Sequence, residues 1–298
     1  MRAVPPAIAT IAAAAALLAA AGPSRAAMPP PCSRAAGSGD RQISIRSGGL
    51  TRYALVHTAA GTATGARVPV VLVLHGAGGT GARMAKYTGM SAVADRSGFI
   101  AVYPSAVVPH PFWNYYADPG RPDDIGFISD LIDHIERTRC VDPHRIYATG
   151  VSNGGGMTAF VGCALSSRVA AIAPVAGGYA RVPDCRPARP VSVLEIHGTA
   201  DTTVPYGGRG PGGAGSAPRY VREWVERDRC EDRPVVRKLT KKVTRYDWLR
   251  CAPGVRVGRV KVSGGTHEWP GWPATASPPR SGLSASWAVW RFFARLRG

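Results

Sequence analysis

Acidic residues are scarce in this sequence: Asp+Glu 19 stand against Lys+Arg 37, a formal net charge of +18 over 298 residues. Such a chain is drawn to anionic surfaces and polymers, although the charge says nothing about fold. No CxxC and no zinc-like Cys/His spacing occurs, which argues against a metal site. No G-x-x-x-x-G-K-[ST] is present, so the glycine-rich stretches are not phosphate loops. Gly 36 and Pro 26 are high but show no triplet period, which excludes collagen, and there is no internal repeat. Nucleic-acid-binding motifs are absent, as are aromatics interleaved with the basic residues. The densest basic cluster, Arg237-Lys238 with Lys241-Lys242, is therefore read as a solvated face or as a contact for anionic cell-wall material, not for nucleic acid. Past the N-terminus no apolar run approaches the roughly 20 residues of a membrane span.

Hydrophobic residues make up 45%, enough for a large core. The N-terminus carries Arg2, then a stretch from Ala7 to Ala21 that is apolar apart from Thr10, then Ser24-Arg25-Ala26. That order of charge, apolar run and small residues is an export signal. Residues 1–26 are expected to be removed by cleavage near Ala26–Ala27, leaving one domain over 27–298 with no stable membrane insertion. The expected location is extracellular, periplasmic or wall-associated. Cys32, Cys140, Cys163, Cys185, Cys230 and Cys251 form an even set, which in an exported chain favours disulfides. Proximity favours Cys163–Cys185 and Cys230–Cys251, leaving Cys32–Cys140.

Short edge strands are expected at Gln42–Ile45 and Tyr53–His57. Val70–Leu74, Phe99–Tyr103, Ile146–Thr149, Ala170–Val175, Val191–Ile196 and Val255–Val262 read as further strands, several of them apolar at every position. Continuous apolar runs belong to strands covered on both faces. Helical patterns lie between them at Ala82–Ser97 (broken near Gly89), Asp124–Thr138 and Asn153–Ala164, with a closing helix at Ser284–Leu296. The alternation predicts an α/β fold with a mostly parallel central sheet flanked by helices. The low-complexity stretch Gly207 to Pro218 is read as a surface loop inside that single domain.

Gly150-Val151-Ser152-Asn153-Gly154 matches G-x-S-x-G between a predicted strand and a predicted helix. Small neighbours let the chain make the sharp bend that exposes a nucleophilic serine. Serine needs a base, and in this kind of fold the chain order is Ser, acid, His. Only His197 and His267 follow Ser152. His267 and Asp201 both lie just past predicted strands, where such sites assemble. Ser152 is assigned as nucleophile, His267 as base and Asp201 as its orienting acid, with Glu195 and Asp184 as weaker rivals for the acid. His197 is read as structural, holding the loop that carries Asp201. Donors to an oxyanion are expected from the Asn153 N–H and from Ala77 or Gly78 in His75-Gly76-Ala77-Gly78-Gly79. No cofactor is required.

Four segments together, LHGAGGTG (Leu74–Gly81), GVSNGGGM (Gly150–Met157), IHGTADTTVPY (Ile196–Tyr206) and GGTHEWPG (Gly264–Gly271), resemble secreted poly(3-hydroxybutyrate) depolymerases and feruloyl and acetylxylan esterases. Asp124-Ile125-Gly126-Phe127-Ile128 resembles the DVGF segment of the same family. The resemblance implies the α/β-hydrolase fold, the Ser152–Asp201–His267 triad, and a pocket near Trp113, Tyr206 and Trp269. Trp272 is a further pocket candidate, whereas Trp287 and Trp290 sit at helical spacing and are read as core. Thr266 departs from the family, which usually has glycine there. No polymer-binding segment follows His267, which argues against attack on solid polymer. The implied partner is an ester substrate: a small molecule, an oligomer or a polysaccharide side group. Two alternatives are an acyltransferase on the same fold and a non-catalytic wall-binding protein.

Overall fold

The computed structural model describes residues 1, 32, 37–62, 66–107, 111–179, 185–210, 213, 215–271 and 281–296. The expected export signal (apart from Met1), Asp184 and Trp272 lie outside the described residues. Met1–Pro30 forms a unit of its own, and Pro31–Gly298 is the other.

Among the described residues ten strands run in one sheet: β1 (Gly39–Ser47), β2 (Leu50–Thr58), β3 (Val68–Leu74), β4 (Ile100–Pro104), β5 (Val141–Val151), β6 (Ala171–Val175), β7 (Ser192–Gly198), β8 (Val235–Lys238), β9 (Val243–Trp248) and β10 (Val257–Val262). Their spatial order is β1-β2-β4-β3-β5-β6-β7-β10-β9-β8. The six central strands from β4 to β10 are parallel, and antiparallel pairs close both ends. The helices are α1 (Gly81–Thr88), α2 (Met90–Ser97), α3 (Asp124–Thr138), α4 (Asn153–Ala164), α5 (Ala217–Arg227) and α6 (Ala285–Phe293).

Strand β3 is buried at every position. Its side chains alternate between two cores, as the two-residue repeat of a strand requires. Val70, Leu72 and Leu74 pack with residues of α3, α4 and α5, while Val71 and Val73 pack with residues of α1, α2 and α6. Each such side chain stabilises by roughly 1.5–3 kcal/mol when fully buried. This two-sided demand explains why the central strands lack the polar alternation of β1. Gly89, left-handed at φ 61°, ends α1 and starts α2, the break the sequence suggests. Side chains of Thr80, Asp123, Ser216 and Ser284 accept the free N–H groups of their helices' first turns.

Three disulfides join Cys32–Cys140, Cys163–Cys185 and Cys230–Cys251. Trp287 and Trp290 are half-buried and both pack against the core, Trp290 stacked on Phe99; Trp287 also lines a cleft of about 540 Å³ together with Arg237, Arg245, Arg291 and Arg295.

Asp228, at the end of α5, is fully buried, and burial pushes its carboxyl up to about 7. Oδ1 accepts the Val191 N–H at 3.4 Å, and Oδ2 has no partner among the described residues. A folded-state pKa above the unfolded one means stability is full at low pH and lost as pH rises through about 7. At pH 8 the shift corresponds to roughly 4 kcal/mol, of which the unpaired amide of an asparagine would forfeit about 1–2 kcal/mol. Asp228→Asn is therefore expected to raise Tm at pH 8 and to lose that advantage by pH 4. Thermal melts across this range check it, and equal pH slopes in both proteins would refute it.

Candidate active site

Ser152 sits between the end of β5 and the start of α4 with φ 59°, ψ −122°. A non-glycine residue in that region costs about 1–3 kcal/mol and needs surroundings that enforce it. Here the enforcement is backbone packing. A Cβ on Gly154 would run into the carbonyl oxygens of Leu74 and His75, and one on Gly150 would sit 2.7 Å from the Leu74 oxygen. The glycines of the motif thus let the end of β3 touch the turn that carries the serine.

The structure brings Ser152, His267 and Asp201 together. Ser152 Oγ lies 2.8 Å from His267 Nε2, and His267 Nδ1 lies 2.7 Å from Asp201 Oδ2. Nδ1 faces a carboxylate and so carries the proton, which leaves Nε2 to accept the serine O–H. The other Asp201 oxygen accepts the N–H groups of Thr203 (2.9 Å) and Val204 (2.8 Å). Burial works to raise the Asp201 pKa, but hydrogen bonds from His197, His267 and the Val204 N–H outweigh it and hold the carboxyl well below the usual range.

Asp201 follows β7 and His267 follows β10, neighbouring parallel strands. Their loops are bonded to each other: the Thr199 N–H donates to Val262 O, the Ala200 N–H to Gly265 O and the Gly264 N–H to Thr199 Oγ1, each at 2.9 Å. A Cβ on Gly198 would strike the Gly265 carbonyl. Thr266 is exposed and outside the left-handed region, so a side chain there fits without strain.

His75 is buried and neutral. Its Nδ1–H donates to Gly76 O at 2.7 Å, its Nε2 accepts the Ala106 N–H at 3.0 Å, and burial lowers its pKa. This fixes the loop beside Ser152. The Gly78 N–H, expected as an oxyanion donor, is committed to Pro111 O at 3.1 Å. That corrects the expectation for Gly78 and leaves Ala77, whose N–H has no backbone partner among the described residues. The Asn153 N–H, at the N-terminus of α4, likewise has no backbone partner among the described residues.

The pocket expectation needs correcting at two of three positions. Trp113 is 0% exposed; its Nε1–H donates to His75 O at 2.9 Å, its N–H donates to Asn153 Oδ1 at 2.7 Å, and its ring lies against His75. Trp269 is 1% exposed, with Nε1–H on Ser286 Oγ and its N–H on Tyr87 Oη. Neither ring presents a face to a ligand; both position the loops that carry the site. Tyr206 is half-buried, edge-on to His197. Asp124 is buried between Arg52 Nη2 (2.6 Å) and the Asn114 N–H (2.8 Å), so the DVGF-like segment anchors the Trp113 loop. Two exposed aromatics on that loop, Phe112 and Tyr116, were not singled out from the sequence. Their clustering with Trp113 and Tyr115 is the signal that could have found them.

His197, read as a structural residue of the Asp201 loop, is buried and has an unforeseen partner. Its Nδ1 lies 3.0 Å from Oε1 of Glu195, and its Nε2 lies 2.8 Å from Val204 O and 3.2 Å from Asp201 Oδ2. Among the described residues no group of His, Cys, Asp and Glu could hold a metal ion, and no helix is long and apolar enough to cross a membrane.

The sheet order and the nucleophile turn define an α/β-hydrolase with a Ser–His–Asp constellation at the carboxyl ends of its strands. A family model described as "Esterase PHB depolymerase" matches residues 51–181. Feruloyl esterase B of Piromyces equi is 36% identical over 166 residues, covering 52% of this chain and 31% of that protein. "Putative esterase NocK" of Nocardia uniformis subsp. tsuyamanensis is 32% identical over 228 residues, covering 68% and 66%. The chain is thus similar in sequence to poly(3-hydroxybutyrate) depolymerases and feruloyl esterases. It spans less than two thirds of the length of these curated relatives. Among solved structures, an acetyl xylan esterase from Aspergillus awamori has the same fold at TM-score 0.61 and 14% identity, covering 76% of this chain and 94% of that one.

Proposed function

We propose that the chain is an exported serine esterase that hydrolyses carboxylic esters through an acyl-enzyme. The observation that carries this is the continuous hydrogen-bonded line from Ser152 through His267 to Asp201 at a strained, half-buried turn. Ser152 Oγ attacks the ester carbonyl while His267 Nε2 takes its proton, and His267 then returns that proton to the leaving alkoxide. The N–H groups of Ala77 and Asn153 receive the oxyanion, helped by the N-terminus of α4. Water repeats the cycle on the acyl-enzyme. The His267 side chain is 21% exposed, which gives water access to the base and favours hydrolysis over transfer to another hydroxyl.

The relatives' names point to feruloyl and acetylxylan esters, and the family's to hydroxyalkanoate esters. Exposed Phe112 and Tyr116, flanking the loop bonded to Asn153, support an aromatic or apolar acyl group. The test is a panel of methyl ferulate, acetylated xylan, short p-nitrophenyl esters and poly(3-hydroxybutyrate). Turnover of at least one, lost in Ser152→Ala, is expected; no turnover of any would overturn the proposal. Export is supported by the three disulfides and by the charge pattern of residues 1–26.

The basic cleft supports adhesion to anionic wall polysaccharide. Arg237, Arg291 and Arg295 have no acidic partner among the described residues. Binding to an acidic polysaccharide such as polygalacturonate is expected at low salt. Retention that persists at about 1 M salt would remove an electrostatic origin.

A further inference from the structure

Behind the triad lies a buried array that joins Asp201 to two residues the proposed mechanism does not use, Glu195 and His197. Glu195, His197 and Asp201 are 0%, 1% and 4% exposed. Both ring nitrogens of His197 face acceptors. Nε2 faces the Val204 carbonyl at 2.8 Å, which cannot donate, so Nε2 carries a proton. Nδ1 faces Glu195 Oε1 at 3.0 Å, and the same oxygen takes the Tyr179 hydroxyl at 2.9 Å. Tyr179 is itself stacked on Tyr220 of α5 with ring centroids 4.0 Å apart. The other groups facing this array are Tyr206, edge-on to His197, Arg259 of β10 beyond the Tyr206 ring, and His267 on the far side of Asp201.

We propose that Glu195 and His197 are positioning residues of the triad: the Glu195 carboxylate keeps His197 doubly protonated against Asp201, and that positive charge loosens the hold of Asp201 on protonated His267. The inference rests on the esterase reading of Ser152, His267 and Asp201. Burial alone would lower the His197 pKa, but hydrogen bonds donated by its ring to Asp201 and Glu195 reverse this and raise it to about 10. Asp201 Oδ2 is thus shared between two rings, at 2.7 Å from His267 and 3.2 Å from His197. With the second ring charged, the site holds two carboxylates and one cation at rest; the serine proton makes His267 the second cation and leaves the matching negative charge on the tetrahedral oxyanion. Without that charge, Asp201 acts on His267 alone and stabilises its protonated, unreactive resting form.

Glu195→Gln separates charge from shape. The amide is nearly isosteric and can donate to Nδ1, so His197 keeps its place but turns into a neutral ring protonated at Nε2 alone. The acid limb of the kcat/KM profile is expected to move to higher pH by about 0.5–1 unit, with Tm little changed. His197→Asn, also neutral, is expected to move it the same way. An independent readout is the ring 15N spectrum: at pH 8.5 the wild type should show one buried imidazole protonated at both nitrogens, and Glu195→Gln should not. A neutral His197 ring in the wild type would overturn the inference. So would a Glu195→Gln profile with an unmoved acid limb, including one lowered equally at every pH, the mark of a merely structural role. In either event Ser152→Ala reports on the underlying reading separately, because retained turnover in that variant would remove the triad itself.

Discussion

Ser152→Ala is expected to lower kcat for ester hydrolysis roughly 10⁵–10⁶-fold, with the residue of activity left to the oxyanion donors. The size of the effect follows from the geometry. Among the described residues no other hydroxyl is bonded to His267 Nε2, which takes the serine proton while Asp201 orients the ring. Stability should respond differently. Alanine keeps a Cβ at φ 59° and so keeps the backbone strain, whereas Ser152→Gly removes it. Both variants should be inactive, but only the glycine variant should melt above wild type, by an amount worth about 1–3 kcal/mol. Activity assays beside thermal melts decide this. An inactive glycine variant that melts with the alanine variant would show that the bend stores no strain.

The second large effect is at Gly154. An added methyl meets two main-chain carbonyls and lies 2.7 Å from the Leu74 carbonyl carbon, so no side chain can swing away to admit it. Either α4 or the end of β3 must move. Gly154→Ala is expected to cost about 1–3 kcal/mol or more of stability. It should also lower kcat at least about 100-fold, because a displacement near 1 Å carries Ser152 off His267. Gly207→Ala is the matched control, since a Cβ there meets nothing within 4 Å and no positive φ is required. Equal melting temperatures and rates in the two variants would refute the packing argument.

What the sequence revealed follows physical lines. The central strands were readable because burial on both faces leaves uninterrupted apolar runs such as Val70–Leu74. The three reactive groups were readable because each sits just past such a run. Helix α5 and strands β8 and β9 were not. Helix α5 opens directly from the glycine-rich stretch with Pro218 in its first turn, and β8 is exposed at all four positions, so no apolar pattern marks it. The family resemblance places Trp113 and Trp269 near the pocket, and for Trp269 its loop beside His267 fits that placement and loop packing equally well. Whether a loop tryptophan faces ligand or core depends on where its N–H finds an acceptor, and here His75 O and Ser286 Oγ supply one from distant parts of the chain. The Gly78 N–H was lost to Pro111 for the same kind of reason. The Glu195–His197 contact joins residues two apart on one strand, whose side chains project from the same face. Local spacing allowed the pair, but only Val204 and Tyr179, brought in from other loops, define its protonation.

The loops after β7 and β10, which carry Asp201 and His267, are bonded directly to each other, whereas Ser152 follows β5, with β6 between it and β7. Mechanical play should therefore gather at the Ser152–His267 contact and spare the His267–Asp201 contact. Warming or mild denaturant should disarm the nucleophile well before the base loses its orienting acid, so inactivation would precede unfolding and reverse on cooling.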